Sequence, residues 1–176
     1  MKPTSPASWL ESASIPGAAD YGAEHRALCM RAEALVPVWK ERAVANEAAR
    51  DLSREAIAEL HEAGLLRILA PKRFGGLELG WPSLVEASRI AARACASTGW
   101  VISLVGGHIA TIGRLSGECQ AEVFAKGPDQ LVATASAATT GAIARVSGGV
   151  RLNGTWRFAS AIDHASWIIV AGPCLN

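Results

Sequence analysis

Twenty consecutive residues, Ala94 to Gly113, carry no Asp, Glu, Lys or Arg, and this run constrains the fold more than any other feature. A helix of that length and character either crosses a bilayer or lies buried within a packed domain. Four glycines, together with Ser97, Thr98, Ser103, His108 and Thr111, make a poor lipid-facing surface. The run is therefore expected to be a buried helix of a protein with no membrane partner, its Gly106-Gly107 pair suited to close helix packing. Such a helix needs cover on several sides, and 176 residues at 50% hydrophobic content can supply it.

The flanking sequence reads as that cover. Ala, Glu and Arg with Leu28, Leu35 and Trp39 at helical spacing predict a helix from Tyr21 to Arg50, which Pro37 should kink or restart. A second helix has Ser53 as N-cap, Glu55 in its first turn and Gly64 past its end, with Ile57, Leu60 and Ala63 inward. A connector, Leu65 to Pro71, leads to Phe74-Gly75-Gly76, where paired glycines permit a tight turn with backbone close to backbone. Pro82 begins a third helix running to about Ala96, Gly99 to Leu115 forms the apolar fourth, and Ser116 caps a short fifth through Phe124.

After Gly127-Pro128 the texture becomes β-rich: Leu131 to Ser136, Ala142 to Ser147, Val150 to Leu152, Thr155 to Ala159 and Trp167 to Ala171. Gly148-Gly149 and Asn153-Gly154 are the hairpin signals between them. The organisation expected is a Pro-, Ser- and Ala-rich mobile tail over 1–20, a helical domain over 21–126 and an incomplete antiparallel β-domain over 127–176. Ile168 to Ala171 would want a partner on each side, yet only five residues follow, so the chain is expected to be truncated.

Seventeen basic and sixteen acidic residues leave a net charge of +1, which offers no field to gather nucleic acid. Cys29, Cys95, Cys119 and Cys174 show neither a C-x-x-C pair nor metal-ligand spacing, so no metal site is expected. They read as free thiols of a cytoplasmic protein, and the N-terminus lacks a secretory pattern. No G-x-G-x-x-G follows a strand, so no nicotinamide site is visible.

The motif from Gly64 to Pro71, followed by Phe74-Gly75-Gly76, resembles the N-terminal helical domain of acyl-CoA dehydrogenase-fold flavoproteins. Gly149 to Ser160, reading GVRLNGTWRFAS, resembles their first flavin-contacting hairpin. Ser97-Thr98-Gly99-Trp100-Val101 with His108, and Trp156 to Ser160 with Asp163 to Trp167, are similar to the two-component (group D) aromatic monooxygenases on that fold. The resemblance spans about Ala23 to Gly172. It implies an α+β fold in which the helical domain leads into an antiparallel β-domain, with the family's C-terminal helical bundle missing.

It also implies FAD or FMN as cofactor, a separate flavin reductase, a small aromatic or polycyclic substrate, and homo-oligomers at full length. The implied activity is hydroxylation through a flavin C4a-hydroperoxide by an oxygenase component. Thr134, Ala135 and Ser136 would lie along the pyrimidine edge, Trp156 and Phe158 against the ring, and the Ser160 hydroxyl near N5. Ser136, Ser160 and His108 are the candidate catalytic residues. His108 would orient or deprotonate a phenol, because a phenolate is the better nucleophile toward an electrophilic peroxide oxygen.

Each residue also has a purely structural role open to it. Trp156 and Phe158 alternate as on any half-buried strand, Ser136 and Ser160 suit local turn hydrogen bonds, and His108 can be a satisfied core histidine. His164 is expected to pair structurally at a loop beside Asp163, while His25 and His61 lie on polar helix faces. One departure stands out: Ala161 occupies the position after Ser160 where this branch has glycine, so a positive φ there would be strained. Two alternatives remain, an acyl-CoA dehydrogenase passing hydride to FAD and a truncated, non-catalytic fragment with a packing role.

Overall fold

A computed structural model describes residues 21–135 and 137–175, without the side chains of 137–141 and 175. The expected tail over 1–20 and the candidate Ser136 lie outside the described residues. Helix α1 spans Gly22–Ala49 and docks through Leu28, Ala32 and Trp39, all at most 1% exposed. The helix runs through Pro37 without a break. Pro37 faces solvent, so water can satisfy the carbonyl its missing N–H leaves free, while buried Ala32 and Trp39 anchor the helix on either side.

Helix α2, Arg54–Glu62, starts where expected, the Ser53 hydroxyl accepting from the Ala56 amide, and buries Ile57 and Leu60. The connector that follows is entirely core at Leu65, Leu66, Ile68 and Ala70. It folds back after a short 3₁₀ turn, Lys72–Phe74, with Gly75 at φ 86°. A Cβ on Gly76 would lie 2.0 Å from the Ala70 carbonyl oxygen, so the expected backbone-to-backbone approach is real.

Helix α3 is Trp81–Ala92 and helix α4 Ala96–Ile112. The third helix, expected to reach Ala96, ends at Ala92, and the fourth, expected from Gly99, starts at Ala96, so the break lies at extended Cys95. Gly99 explains the sharp turn, because a Cβ there would come within 2.7 Å of the Ala92 Cβ. The uncharged run buries Thr98, Val101, Ile102, Val105, Ile109 and Ile112. Each fully buried Ile or Val there contributes about 1.5–3 kcal/mol over an exposed position. Among the described residues no helix is long and apolar enough to cross a membrane. Helix α5, Gly117–Val123, is capped by Ser116, whose hydroxyl accepts from the Cys119 amide.

Five strands follow: β1 (Val132–Ala135), β2 (Ala137–Val146), β3 (Gly149–Arg157), β4 (Trp167–Val170) and β5 (Cys174–Leu175). The long β2–β3 hairpin is antiparallel, as expected of the β block. The β1–β4 and β2–β5 pairs are parallel, because the hairpin is interposed as a crossover between β1 and β4. Asn153-Gly154 does not turn; the two strands expected around it are one, with Asn153 opposite Ala142 and Gly154 opposite Gly141. The turn at Ser147-Gly148, with Gly148 at φ 80°, already reverses the chain, and β2 pairs with β3 from Val146 back to Ala137 with one irregularity between Ala138 and Thr140. A second apolar cluster, of Ala70, Ile109, Ile112, Val123, Phe124 and Val132 with Trp167 and Ile169 against it, seats β1 and β4 on the helical layer.

Candidate functional site

Helix α4 carries polar side chains toward both ends of the uncharged run, and each meets the β block at a different place. Toward its C-terminal end, His108 Nδ1 lies 2.6 Å from the Val132 carbonyl oxygen and Nε2 lies 2.9 Å from Thr134 Oγ1. A carbonyl only accepts, so Nδ1 carries the hydrogen and Nε2 of the neutral ring accepts from the Thr134 hydroxyl. His108 is thus fully partnered within the protein and joins α4 to β1.

The backbone of β1 explains why this contact is available. The carbonyls of Leu131 and Ala135 accept from the Trp167 and Ala171 amides on the β4 side. By the alternation of a strand, Val132 and Thr134 turn their backbone groups to the opposite edge, where no strand pairs among the described residues. His108 caps Val132 on that edge, and the Thr134 side chain stands beside it, half-buried. Ala135 is 1% exposed, so only its backbone is placed to meet a ligand.

Near the N-terminal end of α4, the Trp100 indole N–H donates to Ser160 Oγ at 3.1 Å. Trp100 is not among the sequence-derived site residues, although it stood within the motif that raised the resemblance. A large aromatic in the first turns of an otherwise core-like helix was the signal, and 58% exposure of its side chain is the outcome. The bond leaves Ser160 its own hydroxyl hydrogen and a lone pair for another partner.

Ser160 belongs to a tightly turned segment, 158–165, held by bonds such as Ser160 N–H to the Phe158 carbonyl and His164 N–H to the Ala161 carbonyl. Two non-glycine residues in it are left-handed: Phe158 at φ 62° and Ala161 at φ 59°. The positive φ expected at Ala161 is therefore present. The strand alternation expected through Phe158 is not: β3 ends at Arg157, and the left-handed turn swings the Phe158 ring out to 88% exposure. Trp156 parts company with it, half-buried and donating its indole N–H to the Ala171 carbonyl at 2.8 Å.

The segment closes one side of a cleft of about 430 Å³ whose other walls are Arg50, Asp51 and Leu52 after α1 and Ala96, Ser97, Trp100 and Val101 of α4. His164 does not pair with its neighbour Asp163. Its Nε2 meets Asp51 Oδ1 at 3.0 Å, across 113 residues of sequence, which no local pattern announces. Of the remaining histidines, His25 Nδ1 lies 2.9 Å from the buried Ser83 hydroxyl, whereas His61 Nδ1 stands 3.7 Å from Asp129, too far for a hydrogen bond, and Asp129 is itself bonded to Arg67 at 3.0 Å.

A flavin ring asks for an apolar face, polar groups along its pyrimidine edge and a partner at N5. Residues of the kinds such a group needs are present, namely an uncovered Phe158 ring, a Ser160 hydroxyl with capacity to spare, and the unpaired edge of β1 with the Thr134 hydroxyl beside it; of these, Ser160 lines the cleft. The Trp156 indole N–H is taken by the Ala171 carbonyl, which leaves its ring face for an apolar contact.

Comparison with known proteins agrees with this architecture. Residues 23–126 match the family described as "Acyl-CoA dehydrogenase, N-terminal domain". The chain is 38% identical over 142 residues to the flavin-dependent monooxygenase oxygenase subunit HsaA of Mycobacterium tuberculosis, covering 81% of this chain and 36% of HsaA. The crystal structure of HsaA superimposes with a TM-score of 0.81 over 85% of this chain. The oxygenase component of p-hydroxyphenylacetate 3-hydroxylase from Acinetobacter baumannii is 37% identical over 77% of this chain and 32% of its own length. XiaF from Streptomyces sp., in complex with FADH2 and glycerol, gives a TM-score of 0.79 at 26% identity, covering 84% of this chain and 37% of XiaF. The chain thus spans about a third of the length of the curated relatives it matches. On its matched helical domain and the shared fold that follows, it belongs to the acyl-CoA dehydrogenase family, among relatives that are oxygenase components of flavin-dependent monooxygenases.

Proposed function

We propose that this chain forms part of the oxygenase component of a two-component flavin-dependent monooxygenase that hydroxylates a small aromatic substrate. The observation that carries the reading is the pairing of an exposed Phe158 ring with a Ser160 hydroxyl of spare capacity, beside an α4 whose Trp100 and His108 face the β block. Relatives named for a flavin, an oxygenase subunit or component and an aromatic acid point the same way. Bound reduced flavin, FMN or FADH2 delivered by a separate reductase, supplies the electrons that activate dioxygen.

The chain's own residues have distinct tasks in this scheme. Phe158 and Trp156 would line the flavin ring, Thr134, Ala135 and Ser136 would hold its pyrimidine edge, and the Ser160 hydroxyl would accept a hydrogen bond from its N5–H. His108 acts through Thr134: a phenolic O–H donates its proton to Thr134 Oγ1 as the Thr134 hydroxyl hydrogen passes to His108 Nε2. The Val132 carbonyl holds the Nδ1 hydrogen of the resulting imidazolium. The helical part over 21–126 and the β part over 127–176 act as successive domains, and the free thiols suit a cytoplasmic setting.

The product of the complete reading frame tests the proposal. Supplied with reduced FMN or FADH2, a 4-hydroxyphenyl acid and ¹⁸O₂, it should transfer one ¹⁸O atom to the ring. Reduction of its oxidised flavin by an acyl thioester, with no ring hydroxylation, would instead assign it to the dehydrogenases of the same fold.

A further inference from the structure

The Asp51–His164 contact has no part in the scheme above, yet it faces the same cleft as Ser160 and Trp100. Asp51 is a rigid acceptor: the Leu52 amide donates to the same Oδ1 at 2.8 Å, and Leu52 itself is 3% exposed. The backbone around Asp51 is pinned by the amides of Arg50 and Asp51 on the last carbonyls of α1, Glu47 and Asn46, and by the Ser53 cap of α2. The His164 side chain is 10% exposed and sits four residues beyond Ser160 in a segment that pairs with no strand among the described residues.

That segment carries the strain of two left-handed non-glycine residues, so its shape persists only where other contacts impose it. Its attachments to the helical layer are the Ala161 and Ala165 side chains against the core, the Trp100–Ser160 bond and the His164–Asp51 bond. The alanines give no direction to a hydroxyl. The two polar bonds do, one on each side of Ala161.

We propose that Asp51 and His164 are a positioning pair that fixes the Ser160 hydroxyl and the Trp100 indole against each other across the cleft. That this hydroxyl meets flavin rests on the reading above; the pair itself does not. The charged groups around His164 are Asp51 and Arg50 from the link after α1 and Asp163 on its own segment, while α4 lines the cleft with Ala96, Ser97, Trp100 and Val101 only. The Asp51 carboxylate makes its bond with the imidazole N–H charge-assisted, and so stronger than a neutral one. The position of Trp100 should follow that bond.

The test is ¹⁹F NMR of the product of the complete reading frame labelled with 5-fluorotryptophan, without flavin, with Trp100 assigned through Trp100→Phe. The wild type should give one Trp100 resonance. His164→Gln keeps a donor for Asp51 and should hold that resonance near the wild-type position. His164→Ala should displace or split it. A Trp100 resonance that His164→Ala leaves in place, or that His164→Gln displaces as far as His164→Ala does, overturns the pair. Because no flavin is present, either result is independent of whether the flavin reading holds.

Discussion

Gly106 and Gly107 are adjacent in α4, yet alanine at the two positions should have opposite effects. In a helix interior each Gly→Ala change gains about 1 kcal/mol of helix propensity. A Cβ on Gly107 would lie 3.8 Å from the Trp81 ring, an ordinary contact, so that gain should be realised nearly in full. A Cβ on Gly106 would lie 2.5 Å from Leu84 Cδ1. Leu84 is 2% exposed in the seam between α3 and α4 and has no solvent to swing into. Overpacking of that kind costs about 1–3 kcal/mol. Gly106→Ala should therefore be neutral to about 2 kcal/mol destabilising, and the two variants should differ by about 1–3 kcal/mol, since the propensity gain cancels in their difference. Urea unfolding at 25 °C with matched m-values measures it. A Gly106→Ala protein as stable as Gly107→Ala would refute the claim that Leu84 leaves no room for a Cβ at Gly106.

Two other changes test local physics. Ala161→Gly removes a left-handed strain of about 1–2 kcal/mol and adds about 0.4–1 kcal/mol of unfolded-chain entropy, so unfolding should show a net gain of roughly 0.5 kcal/mol; a clear loss would mean that the methyl's packing outweighs the strain. The Arg89 guanidinium bonded to Glu86 holds that carboxyl below the ordinary carboxylate range. The stability it contributes is therefore present above the unfolded-state value of about 4.3 and disappears as pH falls through the lowered folded value. Glu86→Gln should cost a few tenths of a kcal/mol at pH 7, given the partial exposure of the pair, and nothing at pH 2. The same substitution should speed alkylation of Cys29, whose thiol is pushed up by burial and by the Glu86 and Glu33 carboxylates.

Much of this protein was written in local pattern. The uncharged run, the caps at Ser53 and Ser116, the Gly75-Gly76 turn and the change to β texture after Gly127 act over three or four residues or through residue type, so the helical layer and the β block that follows were legible without any long-range contact. The left-handed backbone at Ala161 was legible only through the resemblance, in which glycine holds that position. The rest depends on residues far apart. Asn153-Gly154 is a strand and not a turn because β2 extends opposite it, and Pro37 lies within one helix because it faces solvent between buried anchors. Phe158 leaves the face of Trp156 because the chain turns left-handed one residue after β3. His108 takes its partners from β1, and His164 finds Asp51 in place of neighbouring Asp163. Local preferences are fractions of a kcal/mol to about one, whereas burying a hydrophobic seam is worth several; where the two compete, the packing of α4 against its neighbours chooses which side chains meet.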